Sequence, residues 1–270
     1  KLDRATWLNY VRCHDDIGLG FDDEDIRLAG YDPVPHRRFL IDYFTGKWEG
    51  SAAKGKPFGH NAKTGDARIS GSLASLVGLE VALEKGDPGE IDDAIKVIIL
   101  LHGMIMSFGG IPLLYYGDEI GTTNDYRYVE DERKSGDTRW MHRPAFDWDK
   151  AELRNKPNTV ENRIFHALKK MIAVRKEVPA FADFNNRELR DTGTPHLFVF
   201  CRVNPQHVSD RVLVVGNFGA RHQHLELDSL KDTAFMHHSQ IVDLYSGESP
   251  AMSKNANVIR PYRFFCLHAH

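Results

Sequence analysis

Residues 10–18 read YVRCHDDIG, and this stretch determines how the rest of the chain is interpreted. The apolar character of segment 7–13 predicts a short buried strand that ends at His14, Asp15 and Asp16. An imidazole and two carboxylates at a strand end are typical of a strand-end cap, a metal site or a site for a polar ligand. Hydrolases that bind metals through a His-Asp pair place it on helices with further histidine ligands. A metal site is therefore disfavoured, because this pair ends a strand.

Two strand-to-helix units are predicted around this string. A polar segment covers roughly 19–68, and a second polar loop covers about 122–158. Hydrophobic periodicity predicts helices at 36–45, 70–84, 90–107 and 161–177. The apolar run 111–116 is too short for a helix and predicts a buried parallel strand, ending at Gly117-Asp118-Glu119. Active sites of (β/α)8 barrels lie at the C-terminal ends of their strands. Two units cannot close a barrel, so we expect further sequence upstream.

The chain changes character after Pro179, and we place a domain boundary near residue 180. Short segments separated by turn residues predict strands at 196–203, 211–217, 222–227, 240–244 and 257–268. This spacing favours an antiparallel sheet or sandwich. The expected fold is α/β followed by all-β. Residues 1–180 would form the C-terminal portion of a (β/α)8 TIM barrel, including the long loop 19–68, and residues 181–270 an antiparallel β-sandwich domain.

Composition narrows the function classes. A formal charge of -3 gives no reason to expect a nucleic-acid partner or an anionic membrane surface. No apolar run approaches the roughly 20 residues of a membrane span. The three cysteines are too few and too widely spaced to signal a disulfide framework or a zinc cluster. The first residues carry no signal-peptide pattern, and the compartment stays open.

Longer strings carry a resemblance to a known family. The string 10–18, followed in order by IPLLYYGDEIG at 111–121 and by a trailing β domain, resembles strands seven and eight of the α-amylase superfamily. TGDARISG at 64–71 and KSGDTRWMHRP at 134–144 resemble the amylosucrases within it. The resemblance covers essentially the whole chain, with less detail beyond residue 180.

This resemblance implies roles for five residues. Asp15 would be the carboxylate that stabilises the transition state, and His14 would hydrogen-bond sugar hydroxyls. Asp16 and Arg68 would bind on the acceptor side, and Arg139 would pair with an upstream aspartate beneath the glucosyl ring. A carboxylate that grips ring hydroxyls acts most strongly as the ring distorts, and a guanidinium suits a bidentate carboxylate pair. Without the resemblance, the two arginines would be read as surface residues.

Chemistry in this superfamily is carried by carboxylates, so no metal or organic cofactor is expected. The nucleophile and the acid/base glutamate of the superfamily belong upstream of His14, and neither motif is present. We expect the isolated chain to be inactive and to associate with the missing N-terminal part of the same protein. The expected parent is a retaining transglucosidase that cleaves sucrose and extends an α-1,4-glucan.

Two alternatives stay open. One is a hydrolase of sucrose or an α-glucoside, in which water replaces the sugar acceptor. The other is a fragment that binds carbohydrate without catalysis. Gly59-His60 stand where the amylosucrases carry bulkier residues along the oligosaccharide path. This departure bears on glucan polymerisation and not on the core chemistry of the family. Trp48, Phe58 and Tyr126 are candidates either for stacking on sugar faces or for packing their loops.

Overall fold

The computed structural model describes residues 5–225, 241–249 and 257–269. Contacts divide the chain into two compact units, each built from discontinuous segments. The first contains the chain up to residue 11, residues 96–113 and the chain from residue 163; the second contains residues 12–95 and 114–162. The boundary near residue 180 stays a prediction. Within the described ranges, no helix is long and apolar enough to cross a membrane.

Seven α-helices lie in the described residues. They are α1 (Asp23–Leu28), α2 (Pro33–Phe44), α3 (Leu73–Leu76), α4 (Leu79–Lys85), α5 (Pro88–Ser107), α6 (Trp148–Glu152) and α7 (Val160–Glu177). The predicted helices 90–107 and 161–177 are confirmed by α5 and α7. A single helix over 70–84 is wrong, because Gly78 adopts a left-handed backbone (φ +88°) between α3 and α4.

The long polar segment contains more helix than expected. The predicted helix 36–45 begins earlier, at Pro33, where the side chain of Asp32 accepts a hydrogen bond from the backbone N–H of Val34. A capping carboxylate followed by proline in the first turn is a favoured helix start. The additional helix α1 begins in the same way, with the side chain of Asp22 as its cap.

Eleven β-strands lie in the described residues. They are β1 (Leu8–Asn9), β2 (Lys56–Phe58), β3 (Arg68–Ser70), β4 (Ile111–Pro112), β5 (Arg187–Arg190), β6 (Leu197–Val203), β7 (Arg211–Asn217), β8 (Gln223–Leu225), β9 (Ile241–Asp243), β10 (Asn257–Ile259) and β11 (Phe264–Ala269). Both predicted barrel strands are shorter than 7–13 and 111–116. They pair in parallel as β1 and β4. The pairing ends with the hydrogen bond from Leu113 N–H to Asn9 O, and the two segments enter the second unit at residues 12 and 114.

The first unit carries the predicted antiparallel sheet, with strand order β5-β6-β7-β11-β9. β8 and β10 form a separate antiparallel pair. The strands predicted at 196–203 and 211–217 are confirmed. Residues 226–227 and 240, which were also assigned to strands, lie outside the described residues. The single strand expected at 257–268 is wrong, because a turn with Tyr262 at φ +54° separates β10 from β11. The sandwich arrangement stays a prediction.

The second unit places the long loop around a small hairpin. β2 and β3 pair in antiparallel register, with Phe58 directly opposite Arg68. Ile17 and Ile69 exchange two backbone hydrogen bonds of 2.8 and 2.9 Å, which tie the segment after Asp16 to β3. An apolar cluster containing Ile41 and Ile69 packs beside them. The hairpin therefore holds Asp16 and Arg68 on neighbouring segments.

Candidate active site

Four of the five predicted site residues meet in the second unit. Arg139 Nη1 donates to Asp15 Oδ1 at 2.8 Å, across 124 positions of sequence. Arg68 Nε lies 3.2 Å from Asp16 Oδ2. Arg139 also pairs with Asp137, whose Oδ2 lies 2.8 Å from Nη2. The structure thus brings two guanidinium groups and three carboxylates together.

The two carboxylates differ in their surroundings. The side chain of Asp15 is 51% exposed, whereas that of Asp16 is 4% exposed. Asp16 Oδ1 is buried and has no hydrogen-bond partner among the described residues. Arg139 Nη1 lies 4.0 Å from this oxygen, beyond hydrogen-bond distance. Asp15 therefore faces solvent, whereas Asp16 is enclosed and keeps one oxygen without a donor among the described residues.

Charge pairing fixes the ionised state of Asp15. The hydrogen bond from Arg139 lowers the pKa of Asp15 below its ordinary value. The same guanidinium lowers the pKa of Asp137, and the two carboxylates raise the pKa of Arg139 in return. Asp15 is thus a carboxylate, not a carboxylic acid, at neutral pH. It can stabilise positive charge and accept hydrogen bonds, but it is not suited to donate a proton.

A buried arginine fixes the backbone of this loop. Arg12 is 2% exposed, and its Nε donates to the carbonyl oxygen of Gly71 at 2.9 Å. Its Nη2 donates to the carbonyl oxygen of Asp15, also at 2.9 Å. Burial lowers the pKa of Arg12, but the group keeps its charge in proteins at any ordinary pH. One guanidinium therefore joins the loop of Asp15 to the end of β3.

His142 joins the same two segments through its ring. Its Nδ1 accepts from the backbone N–H of Gly71 at 3.1 Å, and its Nε2 lies 3.2 Å from the carbonyl oxygen of His14. Nδ1 accepts, so Nε2 must carry the proton that is donated to His14. Burial, followed by the charge of Arg12, lowers the pKa of His142 to about 4. Arg143 Nε donates to the same carbonyl of His14 at 2.6 Å.

Sequence reasoning did not assign Arg12, His142 or Arg143 to the site, and it left Phe58 open between stacking on a sugar face and packing its loop. The ring of Phe58 lies against Arg68 and Arg139, with its centroid 4.4 Å from Cζ of Arg139. Arg12, His142 and Arg143 lie inside the strings that carried the family resemblance. That resemblance was the only sequence signal that could have assigned them to the site. Their roles depend on contacts between distant segments, so the strings alone could not reveal them.

The remaining sequence candidates have different surroundings. The side chain of His14 is exposed, and only its carbonyl oxygen is held by the contacts described above. The hydroxyl of Tyr126 donates to Glu80 at 2.8 Å, so this ring packs its loop. Trp48 lies edge-on against Phe39, with ring centroids 4.8 Å apart. Neither aromatic residue belongs to the group around Asp15.

An open cleft adjoins the acidic loop. It has a volume of about 430 Å³, and Arg68 is one of its walls, together with Arg37, Asn61 and Asp66. The apolar side chains of Leu19, Ile41 and Ala67 line the same cleft. No cluster of three or more His, Cys, Asp or Glu side chains suited to a metal ion occurs in the ranges the structure describes. The site is therefore built from ion pairs beside a cleft with both polar and apolar walls.

No family model matches the chain, but a curated relative is similar to it in sequence. The chain is similar to glucosylglycerate phosphorylase of Escherichia coli (strain K12), with 25% identity over 183 residues. This match covers 67% of the chain but only 29% of the relative. The chain thus corresponds to less than a third of that protein.

Solved structures show the likeness in fold. A variant of AmyP in complex with maltotriose matches with a TM-score of 0.50 and 16% identity, over 73% of this chain and 38% of that one. Trehalose-6-phosphate hydrolase of Bacillus licheniformis matches with a TM-score of 0.49 and 20% identity, over 70% of this chain and 41% of that one. These neighbours are α-amylase-family glycoside hydrolases. At such identity, the AmyP match supports the fold expected from the sequence and nothing finer.

Proposed function

We propose that this chain is the C-terminal part of a retaining α-glucosyl-transferring enzyme of the α-amylase superfamily, and that its preferred reaction is amylosucrase-like. Glucose would be taken from sucrose and added to an α-1,4-glucan. The nucleophile and the acid/base residue would come from a preceding part of the same protein. The single observation that carries the proposal is the pairing of Asp15 with Arg139 beside the pairing of Asp16 with Arg68.

The state of Asp15 suits a transition-state role. Retaining glycosidases pass through an oxocarbenium-like transition state, in which positive charge develops on the sugar ring. Arg139 keeps Asp15 ionised while binding only its Oδ1, so Oδ2 is available for a ring hydroxyl. A hydrogen bond from a hydroxyl that grows more acidic as charge develops is stronger in the transition state than in the bound substrate. Asp15 would therefore accelerate glucosyl transfer.

The surroundings of Asp16 and Arg68 suit the acceptor. Asp16 Oδ1 is enclosed and has no donor among the described residues, whereas its Oδ2 is held by Arg68. The pairing holds the guanidinium of Arg68, whose side chain is 56% exposed, where it can donate to a hydroxyl of an acceptor sugar. Arg68 also forms a wall of the 430 Å³ cleft, which can take further sugar units of a glucan. Transfer is then favoured over hydrolysis because the acceptor hydroxyl is positioned by fixed contacts.

Replacing Asp15 tests the catalytic assignment. In the protein that contains this chain, Asp15→Asn should lower kcat on sucrose by at least about a hundredfold, because a preorganised electrostatic group is lost. The matched control is Asp131→Asn, since Asp131 also pairs with an arginine, Arg133, at 3.1 Å but on an exposed loop. Full activity of Asp15→Asn would remove Asp15 from the mechanism. Glucan binding without turnover in the parental protein would instead favour a non-catalytic carbohydrate-binding role.

Product analysis separates transfer from hydrolysis. Incubation with sucrose and a short α-1,4-glucan should lengthen the glucan and release fructose. Free glucose and fructose in equal amounts, with unchanged glucan, would favour the hydrolase. The acceptor residues supply a second criterion: Arg68→Ala should shift products from glucan towards free glucose, because water then competes with a poorly held acceptor.

Phosphorolysis is a second candidate, favoured by the similarity to glucosylglycerate phosphorylase. In that reaction inorganic phosphate would take the place of the acceptor hydroxyl and would leave as α-glucose 1-phosphate. Arg68, with 56% of its side chain exposed, offers a guanidinium suited to a phosphate oxygen pair. Addition of phosphate to the sucrose assay decides the matter: accumulation of glucose 1-phosphate favours the phosphorylase, and its absence favours transfer to sugar.

A further inference from the structure

The ring of Phe58 contacts both guanidinium groups of the site. Its centroid lies 4.4 Å from Cζ of Arg139 and 5.2 Å from Cζ of Arg68. Phe58 belongs to β2 and stands directly opposite Arg68 in β3, so the hairpin register fixes this neighbour. Arg139 arrives from a different segment, the short 3-10 helix Thr138–His142. One aromatic ring therefore contacts two arginines that are far apart in the sequence.

These contacts complete a closed arrangement. Each arginine binds Phe58 on one side and a carboxylate on the other, Asp15 for Arg139 and Asp16 for Arg68. The two carboxylates are consecutive residues, so the arrangement closes on itself. Two guanidinium groups near one ring repel each other, and the negative electrostatic potential of the ring face offsets part of that repulsion. The ring also restricts side chains that otherwise have many rotamers.

We infer that Phe58 is a positioning residue that sets Arg139 and Arg68 on their carboxylates before substrate binds. The inference rests on the proposed function for its catalytic consequence, but not for its structural one. The alternative role of Phe58 is direct stacking on a sugar face. The two roles predict different results in the absence of sugar, since only the positioning role alters the state of Asp15 in the free protein.

The variants Phe58→Leu and Phe58→Tyr separate these roles. Leucine keeps an apolar side chain but removes the aromatic face, whereas tyrosine retains the face. In the sugar-free protein, NMR titration of the Asp15 carboxyl should show a higher pKa in Phe58→Leu than in the parental protein, because Arg139 is less firmly held. Phe58→Tyr should restore the parental value. The Asp15 signal is assigned by its loss in Asp15→Asn.

Kinetics supply the second measurement. Phe58→Leu should lower kcat/KM on sucrose by about tenfold, chiefly through kcat, and Phe58→Tyr should recover most of it. Phe39→Leu is the matched control, because it also removes an aromatic ring from segment 19–68, in helix α2 and away from the two arginines. Phe58→Met tests the same point should the leucine variant fail to fold.

The outcomes distinguish the inference from the function. An unchanged pKa of Asp15 in Phe58→Leu would overturn the positioning role, whatever the activity. A loss confined to acceptor affinity, with the pKa unchanged, would assign Phe58 to sugar stacking. A raised pKa in a protein that never transfers glucose would uphold the positioning role and refute the proposed function.

Discussion

The neutral state of His142 can be tested by lowering the pH. Its ring is 1% exposed and joins Gly71 to His14 through one accepted and one donated hydrogen bond. Protonation of Nδ1 would replace the accepted bond with a repulsive contact between two N–H groups. It would also place a second buried cation near Arg12. Burial, and after it the charge of Arg12, therefore favours the neutral ring and lowers the pKa of His142.

The magnitude follows from the two pKa values. The folded value is about 4, and an unfolded histidine titrates near about 6.5. The unfolded chain therefore binds more protons as the pH falls below the unfolded value. The stability contributed by neutral His142 is complete above about pH 6.5 and is lost as the pH falls towards about 4. Linkage gives a loss of about 2 kcal/mol between about pH 7.5 and about pH 5.

The assay is urea unfolding of the parental protein and His142→Asn at both pH values. The parental protein should lose about 2 kcal/mol more stability than the variant over this interval, because asparagine does not titrate. Tyr115→Phe is the control: it removes the bond from the Tyr115 hydroxyl to the carbonyl of His142 at 3.0 Å. Burial raises the pKa of Tyr115, so the hydroxyl keeps its proton at both pH values and Tyr115→Phe should lose the same stability at each. Equal pH dependence of the parental protein and His142→Asn, with NMR titration of the ring near 6.5, would refute the reasoning.

Two further predictions concern the first unit. Arg202 is fully buried and donates to the carbonyl oxygen of Ser107, so Arg202→Met should cost about 3 kcal/mol in urea unfolding, because buried acceptors lose their donors. The same change at exposed Arg221 should cost less than about 0.5 kcal/mol, and a similar loss at both positions would contradict this explanation. Gly103→Ala should cost about 1–3 kcal/mol, because a Cβ there would meet the ring of Phe264 at 2.5 Å. An unchanged melting temperature for this variant would show that the ring moves aside freely.

Local sequence patterns predicted the long helices with regular apolar spacing and the strands that are buried. The helices α5 and α7 follow from apolar spacing, and β6 and β7 follow from apolar runs. β5 was missed because its sequence, RELR, carries charges of the kind that protect an edge strand, and this strand lies at the edge of its sheet. The extent of β1 could not be predicted, because it depends on where the chain departs from its partner strand.

The site was predictable only at the level of charged residues. Asp15 and Asp16 follow a strand, and the strings around Arg68 and Arg139 carry the family resemblance. The sequence could not show that Phe58 contacts both arginines, since that requires the register of one hairpin and the approach of a distant segment. Aromatic residues in a loop have the same sequence signature whether they pack, bind sugar or position a charge.

The way the acidic loop is held explains how the carboxylate of Asp15 stays available. The loop is fixed through backbone carbonyl oxygens: His14 O accepts from Arg143 and His142, and Asp15 O accepts from Arg12. Had the same donors been used on the carboxylates, the lone pairs needed for a sugar would be occupied. Instead, Asp15 keeps Oδ2 unoccupied, because its hydrogen bond from Arg139 uses only Oδ1. With backbone and side chains held separately, Asp15 stays open to solvent while Asp16 orients the exposed guanidinium of Arg68.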